Sequence, residues 1–498
     1  MLINASRSRD ILECIASLSS DEVATPPAVA NQVLDLLPVE VWSNKDLKWL
    51  DPACKTGVFL REAARRLMEG LKDSIPDETE RRKHIFTKML HGYALTELTA
   101  QMSRRSLYYN KDASNKGLSV VPFKNEEGNI HFSSQDHQYD GSGQCAICGA
   151  SEQVFGAPGN RERHAYDFIH NTKEYPMKFD VIVGNPPYQI EDGGFGVSAR
   201  PIYQLFVNQA FRLRPRYTAM IIPSRWFAGG KGLDAFRAAM LESRSFRALV
   251  DYPDAGELFP GVQIKGGICY FLWDSTYDGP CEVVTIQSGE EGQRAHRYLG
   301  EFGDIFVRFN EALPILKKVR KTTDLYIDRF VSTQRPFGLR TNFTGFTEHK
   351  GQNSIPLFTN DGPKWVDRTL IVSRPGLVDK WKVLTAMAGP GNDGYPHKIL
   401  GQTLVAGTPS ACTETFLVVD FCDSEKQANN LKAFFATRFA RFLIALRKNT
   451  QHVTADRFSF VPALDMDVLW TDEKLYELFG INEAEQDFID SIVRPWEE

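Results

Sequence analysis

An apolar run that is forced to stop constrains this chain most. Residues 179–184 read FDVIVG, a compact strand pattern, and Asn185-Pro186-Pro187-Tyr188 follows directly. Proline has no amide hydrogen for a sheet ladder and fixes its own φ, and the residue before a proline is held extended as well. The strand must therefore end in a stiff loop that projects an amide side chain, a carbonyl and an aromatic ring. Further short apolar runs at 47–50, 91–95, 218–222 and 267–273 alternate with helical patterns. Such alternation predicts a doubly wound α/β fold around a largely parallel sheet. With 42% hydrophobic and 24% charged residues in a chain of 498, a disordered chain or a small disulfide scaffold is excluded and more than one domain is expected.

A second segment falls where another strand should turn into a helix. Residues 51–60 read DPACKTGVFL, and the helix after them carries Phe59, Leu60, Ala63, Ala64 and Leu67 on one face. A glycine in such a turn lets the backbone approach a ligand, and a helix start offers free N–H groups. Ligands of doubly wound sheets sit at the carboxyl ends of strands. By itself the segment also fits an ordinary strand–helix turn.

Residues 111–178 are polar and glycine-rich and read as an insertion of irregular structure. It holds the close pair Cys145 and Cys148, with His164 and His170 downstream and His131 and His137 upstream. These are ligand types for tetrahedral zinc. The expected site is Cys145 and Cys148 with His164 or His170, a staple for a segment with little apolar core; two reduced cysteines in a turn is the alternative. From about residue 325 short apolar runs alternate with Gly, Pro, Thr and Asn, and a long helix is expected over about 427–447. The expected division is 1–325 and 326–498. The net charge of −5 gives no general support for nucleic-acid binding, but 331–457 is mildly basic before an acidic tail. Arg335, Arg340, Arg438, Arg441, Arg447 and Lys448 are candidates there for phosphate or base contacts. No stretch is long and apolar enough to span a bilayer, and the first twenty residues lack a signal-peptide pattern, so a cytoplasmic protein is expected.

Taken in order, Thr25-Pro26, the Asp-Pro loop, Asn-Pro-Pro-Tyr, IPSRWF (222–227) and GGICYFLW (266–273) resemble the adenine-N6 DNA methyltransferases of restriction–modification systems. The resemblance covers about residues 20–275, in the gamma arrangement, where target recognition follows the catalytic part. It implies a Rossmann-like S-adenosylmethionine-dependent catalytic domain plus a C-terminal mixed target-recognition domain. It implies that Thr25, Pro26, Asp51, Pro52, Ala53, Gly57 and Phe59 bind cofactor. Asn185, Pro186, Pro187 and Tyr188 would hold the target base. Double-stranded DNA is the implied partner, with a separate restriction endonuclease or defence-complex subunit.

Two features depart from the family. Lys55 stands where glycine is usual, where a side chain would strain a left-handed backbone. The acidic residue expected after the second strand, for the ribose hydroxyls, falls on Ala94, which makes Glu97 the substitute. The adenine-ring partner is open between Asp136 and His170–Asn171. Open too are transfer to another planar amine (cytosine N4, a ribosomal RNA guanine, a protein glutamine) and a catalytically degenerate DNA-binding subunit. The segment PDETERRK (76–83) reads as a charged helix face and not as nuclease carboxylates.

Overall fold

The structure is a computed structural model that describes residues 24–133, 135–156, 165–171, 177–190, 200–230, 232–262, 264–388, 396, 398–448 and 453–496. His164 and the first twenty residues lie outside these. The chain divides into two compact units, up to Phe306 and from Val307 on.

The first unit is built on a ten-stranded sheet. Its strands are β1 (Trp49–Cys54), β2 (Leu90–Ala94), β3 (Ile130–His131), β4 (Val181–Gly184), β5 (Tyr217–Pro223), β6 (Phe246–Tyr252), β7 (Ile268–Asp274), β8 (Cys281–Gln287), β9 (Glu290–Glu291) and β10 (Ala295–Arg297). Their order is β9-β8-β6-β7-β5-β4-β1-β2-β3, with β10 on β8. The pairs from β3 through β5 are parallel, and β7 runs antiparallel between β5 and β6. After β1 the chain moves outward through β2 to β3, then returns to lay β4 on the other side of β1. That reversal is a topological switch point, which leaves a crevice at the carboxyl ends of β1 and β4.

The central strands are buried on both faces, as parallel strands covered by helices must be. Trp49, Val181, Val183 and Ile221 join one apolar cluster, and Leu50, Ile182, Met220 and Ile222 the other. Side chains alternate across a strand, so each strand divides its residues between two cores. On one face lie α1 (Pro27–Asp35), α2 (Val58–Gly70) and α3 (Glu97–Tyr108), which bury Val33, Leu60 and Leu107 there. The expected insertion of irregular structure is not wholly irregular. Ile130 and His131 extend the sheet as its edge strand, paired with Gly92 and Tyr93. The charged segment after Asp77 is a helix, Glu78–His84, with the Asp77 side chain accepting from the Glu80 amide.

The second unit has a four-stranded sheet (Phe346–Thr347, Gly362–Asp367, Ser354–Thr359, Ala411–Cys412) and a three-stranded one (Thr403–Ala406, Trp381–Ala386, Phe416–Cys422). Leu357, Leu384 and Val418 share one core. The long helix expected over 427–447 is two helices, Glu425–Ala436 and Arg438–Ala445. Thr437 breaks it: its ψ of 148° is extended, and its hydroxyl caps the second helix by accepting from the Ala440 amide at 3.2 Å.

Candidate active site at the switch point

β1 pairs with β4 only at Trp49 and Leu50. Beyond them the ladder has ended, so Pro52 takes no amide from a neighbouring bond, and the register with β2 shifts between Asp51 and Cys54. The two motifs meet in this opening. A Cβ on Gly184 would stand 2.8 Å from the Asp51 carboxylate, so the residue before Asn185 must lack a side chain for Asp51 to lie there. Asn185 donates from its side-chain nitrogen to the Thr25 hydroxyl at 3.0 Å. The segment before α1 thus touches the Asn-Pro-Pro-Tyr loop, a contact across 160 positions of sequence.

Asp51 is almost wholly buried. Its carboxylate accepts from the Ala53 amide at 3.0 Å. Burial lifts its pKa from 3.8 to about 7, against the smaller opposing pull of that amide, the Cys54 thiol and Lys55. A carboxylate poised near neutrality is suited to receive a cation. Gly57 holds φ +74° before the first turn of α2, and a Cβ there would meet Leu107 at 2.7 Å, so both backbone and space demand glycine. The strain expected at Lys55 is absent: the left-handed residue of the turn is Gly57, two positions on. The Lys55 side chain is buried instead, with its ammonium 5.9 Å from the centre of the Tyr188 ring. Nothing in the order of residues announces this contact between the loops.

Asn185, Pro186, Pro187 and Tyr188 are all buried. Burial raises the Tyr188 phenol well above its ordinary range, which keeps the ring neutral. Among the expected cofactor residues, Thr25, Pro52 and Ala53 are buried at the crevice and Pro26 is half-buried. Phe59 is buried, in the same apolar cluster as Tyr188. Glu97 is exposed in the first turn of α3, just past the carboxyl end of β2. That helix starts on a reciprocal cap, in which the Thr96 hydroxyl accepts from the Thr99 amide and the Thr99 hydroxyl from the Thr96 amide. Sequence reading missed Ser224 and Asp251, both buried after β5 and on β6, where the serine hydroxyl donates to the carboxylate at 2.6 Å.

In the insertion, ligand atoms of His137, Cys145, Cys148 and His170 lie within 4.8 Å of one another. His170 is therefore part of a Cys/His cluster. His131 lies apart from it, beside Glu127.

Most basic candidates of the second unit are used internally. Arg441 is fully buried and donates to the carbonyls of Thr437, Ala436 and Arg494. Arg447 is buried, Lys448 donates to the Ile399 carbonyl, Arg438 pairs with Asp490 and Arg335 with Glu414. Folding spends these charges on the unit's own carbonyls and carboxylates. Arg340 is exposed.

Residues 88–259 match the model of the Eco57I restriction-modification methylase family. Over 305 residues the chain is 40% identical to an uncharacterized adenine-specific methylase of Mycoplasma pneumoniae, covering 55% of this chain and 72% of that protein. The chain belongs to the adenine-specific methylases. Membership implies S-adenosylmethionine as methyl donor. It is also 24% identical over 187 residues to the adenine-specific methyltransferase PglX of Streptomyces coelicolor, covering 36% of this chain but 16% of PglX. Among solved structures, the type IIL restriction-modification enzyme MmeI in complex with DNA aligns with a TM-score of 0.45 at 11% identity, over 87% of this chain and 64% of that one. The type I methyltransferase subunit of Streptococcus thermophilus aligns at 0.36 and 14%, over 62% and 55%. The chain thus spans little more than half the length of that subunit and under two thirds of MmeI. No helix among the described residues is long and apolar enough to cross a membrane.

Proposed function

We propose that this methylase transfers a methyl group to N6 of an adenine everted from duplex DNA at a specific short site. The observation that carries the reading is the meeting of Asn185 and Asp51 at one switch point, with Gly184 bare between them. S-adenosylmethionine, when bound, supplies a methyl group on a sulfonium together with an ammonium. Asp51, Pro52, Ala53 and the Gly57 turn would hold its methionine part, where the buried Asp51 carboxylate faces positive charge and gives up its proton. Glu97 would serve the ribose hydroxyls from the end of β2. The donor set fits: a carboxylate near neutrality and a glycine turn opening a helix suit a cationic amino acid.

An exocyclic amine is a poor nucleophile because its lone pair is shared with the ring. Asn185 through its side-chain oxygen and Pro186 through its carbonyl would accept the amine's N–H bonds and draw the nitrogen towards tetrahedral geometry. These are acceptors aimed at charge that develops in the transition state. Two prolines fix them in place, so little reorganisation is needed. Tyr188, kept neutral, offers a ring for the everted base, a stack worth ~1–3 kcal/mol. Thr25 orients the Asn185 amide by accepting from its nitrogen, which turns the oxygen to the amine.

We assign target recognition to the C-terminal part, expected over 326–498, and a partner nuclease or defence subunit to the same system. A structural metal on Cys145 and Cys148 completes the reading. The deciding experiment incubates the chain with tritiated S-adenosylmethionine and duplex DNA and digests the product to nucleosides. Label in N6-methyladenine is expected. Label in N4-methylcytosine, in RNA or in protein overturns the substrate, and cofactor binding without transfer would point to a degenerate subunit.

A further inference from the structure

The four side chains of the insertion cluster come from three short pieces of chain that share no regular element. His137 precedes the Cys145–Cys148 turn, and His170 ends the helix Asp167–His170. The Cys145 sulfur lies 3.8 Å from His170 Nε2, and the Cys148 sulfur lies 3.4 Å from His137 Nδ1. Zinc–sulfur bonds of ~2.3 Å and zinc–nitrogen bonds of ~2.0–2.1 Å at the tetrahedral angle put sulfur and nitrogen about 3.6 Å apart. Both distances bracket that edge.

The backbone is arranged in the same sense. Amide groups of Ile147 and Cys148 hydrogen-bond to the Cys145 sulfur. Gly149 donates to the Cys145 carbonyl at 2.7 Å and holds φ +73°, which closes the turn. The Nδ1 of His170 lies 3.0 Å from the Tyr166 carbonyl. A proton on that nitrogen leaves a lone pair on Nε2, facing Cys145, the second contact by which metal-binding histidines are oriented. Both cysteines are buried. Two thiols hydrogen-bonded to two imidazoles would account for each pair separately but not for four ligand atoms drawn to one point.

We infer that His137, Cys145, Cys148 and His170 bind one zinc-class divalent ion in tetrahedral geometry, and that this clip seats the loop holding the target base. Residues 189–190 and 200–201 form a small antiparallel ladder straight after Tyr188, and the Ile202 amide donates to the Tyr188 carbonyl at 3.1 Å. Arg200 of that ladder lies against the cysteine turn: a Cβ on Gly149 would fall 1.8 Å from its guanidinium, which also donates to Gln144 at 3.4 Å. Ile190, Ile202 and both cysteines share one apolar cluster. The ion closes a segment with few apolar residues of its own, and its binding energy becomes folding energy for that segment.

The metal clause is tested on the full chain without reading methyl transfer. Protein produced in zinc-supplemented medium is exchanged into metal-free buffer and weighed by native mass spectrometry beside elemental analysis. One zinc per chain is expected, kept in His131→Asn and lost in His170→Asn and in Cys145→Ser. A chain without metal, or equal loss in His131→Asn, overturns the site. Since a ligand variant can fail to fold, the unaltered chain is also titrated with cobalt(II). The visible bands of a tetrahedral two-thiolate, two-imidazole site are expected, and octahedral cobalt overturns it. The seating clause rests on the proposed methyl transfer. Stripping zinc should raise KM for DNA several-fold while the cofactor dissociation constant, read by calorimetry, stays unchanged. An unmoved KM, or parallel loss of both, overturns that clause and leaves the metal clause standing.

Discussion

Asp51 in the first unit and Lys382 in the second are both charged side chains taken out of water, and the two units treat them differently. The Lys382 ammonium donates to the carbonyls of Val378, Lys380 and Ser410 and to the Ser410 hydroxyl, between 2.7 and 3.2 Å. Burial still lowers its pKa to about 8. Asp51 receives one amide and the neighbouring thiol, and its pKa rises to about 7. A charge ringed by its own backbone is a structural pin. A carboxylate left short of partners, at the mouth of a crevice between two strand ends, is a place for a ligand to finish the job. Arg441 repeats the Lys382 pattern, with three carbonyls around a buried guanidinium. Asp51 lies where the Gly184–Asn185 turn comes closest, while Lys382 and Arg441 are consumed in holding the second unit together.

The contrast can be broken in several ways. The largest effect is expected from Asn185→Ala, which should lower kcat at least about a hundredfold, roughly 3 kcal/mol of barrier. Cofactor affinity by calorimetry should stay near that of the unaltered chain. Near-normal turnover would take Asn185 out of the mechanism.

Next comes Arg441→Met, which leaves buried carbonyls without donors and should cost about 3 kcal/mol of stability in urea unfolding. Loss of DNA binding with unchanged stability would reverse the structural reading of this residue.

The pH dependence of the two buried charges should have opposite slopes. The folded-state pKa of Asp51, about 7, lies above its ordinary 3.8, so its contribution is present in acid and lost as pH rises through 7. That of Lys382, about 8, lies below 10.5, so stability gains as pH rises between those values. Asp51→Asn and Lys382→Met should each flatten the corresponding slope, by up to roughly 3–4 kcal/mol across its window. Calorimetry in buffers of different ionisation enthalpy should also show proton release on cofactor binding near pH 7, absent in Asp51→Asn. The smallest effect is expected from Arg438→Ala: its pair with Asp490 is partly exposed and should contribute below about 1 kcal/mol.

The fold class and the two loops were fixed by local chemistry alone. Proline cannot join a ladder and glycine accepts φ +74° without the steric cost other residues carry, so Pro186-Pro187 and Gly57 mark strand and turn ends wherever the rest of the chain goes. Periodicity likewise marked the strand cores and the face of α2. What the order of residues could not contain was distance. Thr25 against Asn185, Lys55 over Tyr188, Gly184 bare beneath Asp51, and His137 in place of His131 beside the cysteines all depend on which strands become neighbours. Strand order and burial also decided that Arg441 is a pin, because whether a side chain meets solvent is a property of packing and not of its own chemistry.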